Sequence, residues 1–116
     1  MTIKRFQVGR RMSQAVVCNG MVFLAGQVAK DPSQDAAGQT QQVLAAIDTL
    51  LGEAGSDKSR LLSANIFLAD MTDFAAMNTV WDAWVSPGNT PVRATVQAQL
   101  AGPKWRVEIV VTAALS

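Results

Sequence analysis

Two stretches of the chain, and only two, repeat their apolar residues at helical spacing. One covers 37–54, with Val43, Ile47, Leu50 and Ala54 along one face. The other covers 73–85, with Phe74, Met77, Trp81 and Trp84. Gly55 closes the first and Pro87-Gly88 the second, as helix stops do. Everywhere else the apolar residues alternate or form short β-branched blocks, and 3–8, 15–18, 21–26, 61–69, 92–98 and 106–114 read as strands. Asn19-Gly20, between the second and third of these, predicts a type I′ hairpin turn, and K-D-P-S-Q-D-A-A-G at 30–38 reads as loop. A chain of 116 residues builds one core and one domain. Two helices and six strands therefore give an α+β fold, with both helices packed on one face of a sheet.

That arrangement leaves the second face bare, and its residues are not those of a solvated surface. The strand at 21–25 is apolar on both faces, and Val110 and Ala114 share a face with Glu108. An antiparallel sheet facing water on one side would alternate cleanly. The bare face is expected to be covered by further copies of the chain. In the 92–98 strand, the wholly apolar set that includes Ala94, Val96 and Ala98 is expected to meet the helices, with Arg93, Thr95 and Gln97 opposite. In the 106–114 strand, Val107, Ile109, Val111 and Ala113 are expected inward, with Arg106, Glu108, Val110 and Thr112 opposite. Arg93 and Glu108 are thus expected together on the bare face. They are either two halves of one site or structural ion pairs, with each other or with Arg106.

Composition narrows the chemistry. Ten Lys and Arg against nine Asp and Glu leave a net charge of +1, which attracts neither nucleic acid nor anionic membrane. There is no histidine and no tyrosine, so no Ser-His-Asp or Cys-His constellation can form. The single cysteine, Cys18, permits no intrachain disulfide, and with no histidine it argues against zinc. No phosphate-cradling glycine loop is present. Neither a metal nor a cofactor is expected. The first residues lack the apolar core of a signal peptide, and no apolar run spans a bilayer, so the cytoplasm is the expected compartment. Any catalysis must run on carboxylates, guanidinium, hydroxyls, backbone groups and water. Trp81 and Trp84 read as packing residues, Met71 and Met77 as core filler, and Cys18 as a small buried apolar residue. Asp70, Thr72 and Asp73 read as helix N-terminal punctuation.

Longer motifs add a resemblance. V-G-R-R-M-S-Q-A-V-V-C-N-G-M-V-F-L-A-G-Q-V-A-K-D-P, then F-L-A-D-M-T-D-F-A-A-M-N, P-V-R-A-T-V and V-E-I occur in order along the chain. Together they resemble the signature of the RidA/YjgF (reactive intermediate deaminase, RutC-like) family. The resemblance implies a single Rid-family domain over 1–116, with a chorismate-mutase-like six-stranded mixed sheet and two helices on one face. It further implies a homotrimer with one small-molecule site in each cleft between subunits. By that resemblance Arg93 grips a substrate carboxylate, Thr95 and Gly26 lie against the ligand, Asn78 is near the cleft, and Glu108 positions or activates water. The reaction implied is cofactor-free hydrolysis of 2-imino or 2-enamino acids, such as 2-aminoacrylate, to 2-keto acids and ammonia. Such intermediates leave pyridoxal-phosphate-dependent dehydratases and damage other enzymes. Met12 and Ala25 stand where the best-known members carry Tyr and Ser, which resembles a side branch. The alternative is a trimer that binds small carboxylates without turning them over.

Overall fold

The protein is described by a computed structural model over residues 1–115. Six strands and two helices alternate as β1 (Ile3–Val8), β2 (Ser13–Cys18), β3 (Met21–Leu24), α1 (Ala36–Ala54), β4 (Leu61–Leu68), α2 (Phe74–Trp84), β5 (Val92–Gln97) and β6 (Val107–Ala114). The sheet order is β1-β2-β3-β6-β4-β5. All neighbours are antiparallel except β4 and β5, which are joined through α2 and run parallel. The six-stranded mixed α+β sheet anticipated above is therefore present, with element ends moved by one or two residues.

Local chemistry explains the boundaries. Asn19 and Gly20 adopt φ of 54° and 77°, the two left-handed residues that a type I′ turn needs between β2 and β3. Asp35 caps α1, its carboxylate accepting from the Gly38 N–H, and Gly55 ends the helix at φ 90°. Asp70 accepts from the Thr72 N–H and starts a short 3₁₀ turn at Met71–Asp73 that leads into α2. The core lies between the helices and one sheet face. Leu44, Ile47, Leu51, Met77 and Trp81 from the helices meet Val22, Ile66, Leu68, Ile109 and Val111 from the strands.

Gln39 is wholly buried and acts as a clamp. Its Nε2 lies 3.0–3.1 Å from the carbonyls of Pro32, Gln34 and Lys104, while its Oε1 accepts from the Arg106 N–H at 2.8 Å. It thereby fixes the entry to β6, two residues ahead of Glu108. Four expectations need correction. Met71 is 39% exposed and is not core filler. Cys18 is half-buried on the bare face, in register with Ile3 and Met21, outside the core. Asp73 makes no cap hydrogen bond; its carboxylate instead accepts both Nε and Nη2 of Arg106 at 3.0 Å.

The fourth correction matters most. Register pairs Arg93 with Ala64, Thr95 with Ile66 and Gln97 with Leu68. Ala64, Ile66 and Leu68 are the buried set of β4 beneath the helices. In-register neighbours share a face, so Arg93, Thr95 and Gln97 lie on the helix side. The apolar set of β5 points to the bare face, where Val92 is 74% and Val96 49% exposed. β5 is the last strand of the sheet, and α2 shelters only part of it. Parallel pairing with β4, not the apolarity of its own residues, decides which way it faces.

Candidate functional site

Glu108 occupies the bare face. It pairs in register with Phe67 of β4, and Phe67 pairs with Val96 of β5, so its row is apolar. The chain passes tightly beside it at Gly26, in the segment after β3. A methyl group built on Gly26 would collide with the Glu108 Oε2 and lie 3.0 Å from its Cδ. Only glycine lets the backbone approach the carboxylate this closely. The segment is held in place by Gln27, whose N–H donates to Ile109 O at 2.9 Å. The Gln27 Nε2 donates to Gln14 Oε1 at 2.9 Å and to Ala25 O at 3.0 Å. A cleft of about 740 Å³ opens beside Gly26, walled among others by Met12, Gln14, Gln27, Lys30 and Gln42.

Arg93, Thr95 and Asn78 form a separate wall on the other face, between β5 and α2. The Arg93 guanidinium sits over the Trp81 ring, 5.4 Å from its centroid. It forms no ion pair among the described residues; the two present are Arg60 with Asp57 and Arg106 with Asp73. The proposed pairing of Arg93 with Glu108 as a structural salt bridge is therefore absent, and Arg106 is claimed by Asp73. Because β4 and β5 are parallel neighbours, α2 runs back against β5. Asn78, nearly one turn before Trp81, is thus carried toward Thr95, two residues beyond Arg93. Asn78 Oδ1 and Thr95 Oγ1 are shut off from solvent and have no hydrogen-bond partner among the described residues. An unpaired buried oxygen costs about 1–3 kcal/mol. Two such atoms beside an unpaired guanidinium mark a wall whose polar groups are unsatisfied within one chain.

The five residues singled out from the sequence thus fall into two groups, Gly26 with Glu108 and Arg93 with Thr95 and Asn78. One protomer does not bring them together, because a sheet lies between. Sequence reasoning missed Trp81 as the surface under Arg93; the only signal available was its helical spacing, which reads equally well as packing. It also missed Gln14 and Gln27 as the clamp on Gly26. Among the described residues, no group of three or more His, Cys, Asp or Glu side chains is placed to hold a metal ion. No described helix is long and apolar enough to cross a membrane.

Fold and walls together define a small α+β domain with Gly26 and Glu108 on one face of its sheet and Arg93 and Thr95 on the other. The chain belongs to the YjgF/RidA family, whose sequence model, described as Endoribonuclease L-PSP, matches residues 2–115. It is 50% identical over 115 residues to the RutC family protein YoaB of Escherichia coli (strain K12), covering 99% of this chain and 100% of that protein. A RutC family protein of Haemophilus ducreyi is 50% identical over 114 residues, covering 98% of this chain and 97% of its own length. The crystal structure of NMB1025, a YjgF-family member from Neisseria meningitidis, superposes with a TM-score of 0.98 at 52% identity. It covers the whole of this chain and 97% of its own.

Proposed function

We propose that the protein hydrolyses 2-imino and 2-enamino acids to 2-keto acids and ammonia, in sites assembled between copies of a homotrimer. The observation that carries this reading is the Arg93 guanidinium, half-buried and free of any acidic partner among the described residues. A planar fork of donors with nothing to bind is a receptor for a carboxylate. Glu108 lies close against Gly26, and it sits on the bare apolar face that a neighbouring copy would cover. Stacking one protomer's Arg93 wall against its neighbour's Gly26–Glu108 wall supplies both halves, with Thr95 and Asn78 lining the carboxylate side.

The chemistry needs nothing more. An enamine tautomerises to its imine, whose C2 is already electrophilic. Water adds to C2 to give a carbinolamine, with Glu108 taking the proton from the water and returning it to nitrogen. Glu108 then carries the carbinolamine hydroxyl proton to nitrogen; the oxygen's electron pair forms the C=O bond as the C–N bond breaks, ammonia leaves and the 2-keto acid remains. Fixing the carboxylate and placing the water contributes through orientation, and proton transfer contributes on the order of 10² to 10⁴-fold. The description of the matching sequence model names an endoribonuclease, but a net charge of +1 and the absence of histidine offer RNA phosphates no track here.

A cytoplasmic location accords with this role. A purely binding role is the second reading, and Met12 and Ala25 favour it by offering no side-chain hydroxyl beside Gly26. The test is 2-keto acid release from 2-aminoacrylate generated in situ, comparing the wild type with Arg93→Ala, Glu108→Ala and no protein. Acceleration that both substitutions abolish is expected. A wild-type rate equal to the blank at equimolar protein would leave the binding reading.

A further inference from the structure

We propose that Trp81 is the positioning residue of the Arg93 anchor, holding the guanidinium by its ring face so that all its N–H donors stay free for a carboxylate. The inference rests on the reading of Arg93 as a carboxylate anchor, and it explains how such an anchor can exist without its ligand. A half-buried cation needs a compensating partner. An acidic side chain would supply one, but it would spend the same N–H groups that a substrate must use. An aromatic face compensates differently. Its quadrupole attracts the flat of the guanidinium and leaves the in-plane donors pointing outward.

The geometry fits that division of labour. Arg93 lies over the Trp81 ring at 5.4 Å, and no described residue forms an ion pair with it. Arg106 makes the contrast, since Asp73 occupies its Nε–H and Nη2–H edge at 3.0 Å, the fork that would otherwise take a carboxylate. The indole is itself immobilised. Trp81 is 5% exposed, and Trp84 packs against it at 5.4 Å with the rings tilted by 52°. Trp84 is fixed in turn by donation from its Nε1 to Asp48 Oδ2 of α1 at 3.0 Å, with the Lys58 ammonium 5.3 Å over its ring. A chain of contacts from α1 through α2 therefore sets the plane on which Arg93 rests. Arg93 needs this support because β5 is the edge strand, with no further strand to confine its side chain.

Pyruvate, the simplest 2-keto acid, serves as the carboxylate probe, with its Kd read by calorimetry and with kcat and KM read on imine generated in situ. Trp81→Leu is expected to raise Kd and KM about tenfold while kcat stays within about twofold, and Trp81→Phe, which keeps a ring face, to stay within about threefold of wild type. A residue that only fills the core would lower the melting temperature and leave this split untouched. Because Trp81→Leu can fail to fold, a second measurement leaves the packing intact. Tryptophan is replaced throughout by its mono-, di- and trifluoro analogues, which drain the ring quadrupole at nearly constant shape. Kd is expected to rise with each fluorine in the wild-type sequence and to stay flat in Trp81→Phe, where Trp84 and Trp105 alone carry the label. A flat series in the wild-type sequence, or equal losses in Trp81→Phe and Trp81→Leu, overturns the proposal. If Arg93→Ala binds pyruvate as the wild type does, the carboxylate-anchor reading itself fails, which is a different result.

Discussion

Ile109 and Val110 are neighbours in β6, yet Ile109 is wholly buried beneath the helices while Val110 is half-exposed on the bare face. The same division runs through the whole sheet. On the helix side, Val22, Ile66, Leu68 and Val111 are sealed within one chain. On the bare side, Phe23, Val92 and Val96 remain at least 44% exposed although they are just as apolar. The apolar residues of the first face are sealed by this chain alone, whereas those of the second are not. The polar residues divide differently, within the helix side itself. Gln39 is satisfied on all sides in the interior, whereas Asn78 Oδ1 and Thr95 Oγ1 find no partner. The unfinished apolar surface thus lies on the bare face and the two unpartnered polar oxygens on the helix side, so each face carries something that this chain does not complete.

The largest effect expected from this contrast is on catalysis. Arg93→Ala and Glu108→Ala should each lower kcat/KM for an imino acid on the order of 10² to 10⁴-fold, Arg93→Ala through loss of binding and Glu108→Ala through kcat. Steady-state rates together with pyruvate affinity separate the two. Gly26→Ala should displace the Glu108 carboxylate and reduce kcat on the order of 10²-fold with folding intact, which rates and circular dichroism would check.

Mixing offers a sharper break. Arg93→Ala and Glu108→Ala chains, unfolded together at equal amounts and refolded, should recover about a quarter of wild-type activity. Half the Arg93 walls and half the Glu108 walls are then intact at random in a closed ring. A site contained within one protomer would recover nothing.

The two faces should also respond differently to truncation. Ile109→Ala is expected to cost about 2–5 kcal/mol of folding stability in denaturant titration. Val96→Ser should cost about 0.5 kcal/mol or less in the folding of a single chain, yet weaken self-association in sedimentation.

The smallest effect concerns acid. Asp70 is held below the usual carboxylate range by the Thr72 N–H, Asp57 by the Ser59 hydroxyl, and Asp31 by the Ser33 hydroxyl. Carboxyls depressed in the folded state contribute stability above their unfolded value of about 3.9, and that contribution is lost as the pH falls through the folded values. The melting temperature should therefore be flat between about pH 5 and 8 and decline below about pH 4, less steeply in Asp70→Asn.

Much of the fold was legible before the structure, because it rests on local chemistry. The two helical periodicities, the Asn19-Gly20 turn and the Gly55 stop each act within a few residues, and each stands where expected. The family resemblance also named the polar residues that gather at the two walls. What could not be read was the direction β5 faces. Alternation divides Arg93 and Thr95 from Ala94 and Val96, but it is silent on which set meets the helices. The wholly apolar set is the natural choice, and it is the wrong one.

Sequence by itself determined the class of fold, the strand and helix order, and the chemistry available, which is carboxylates, guanidinium and water without imidazole. Those follow from period, turn residues and composition, which are properties of neighbours along the chain. Only the tertiary structure decided that Arg93 and Glu108 lie on opposite faces, that Arg106 belongs to Asp73, and that Trp81 lies under Arg93. The pairing of β5 with β4 and the packing of α2 over it join residues far apart in the chain. A strand's facing is set by the partner it pairs with, and that partner is chosen in three dimensions.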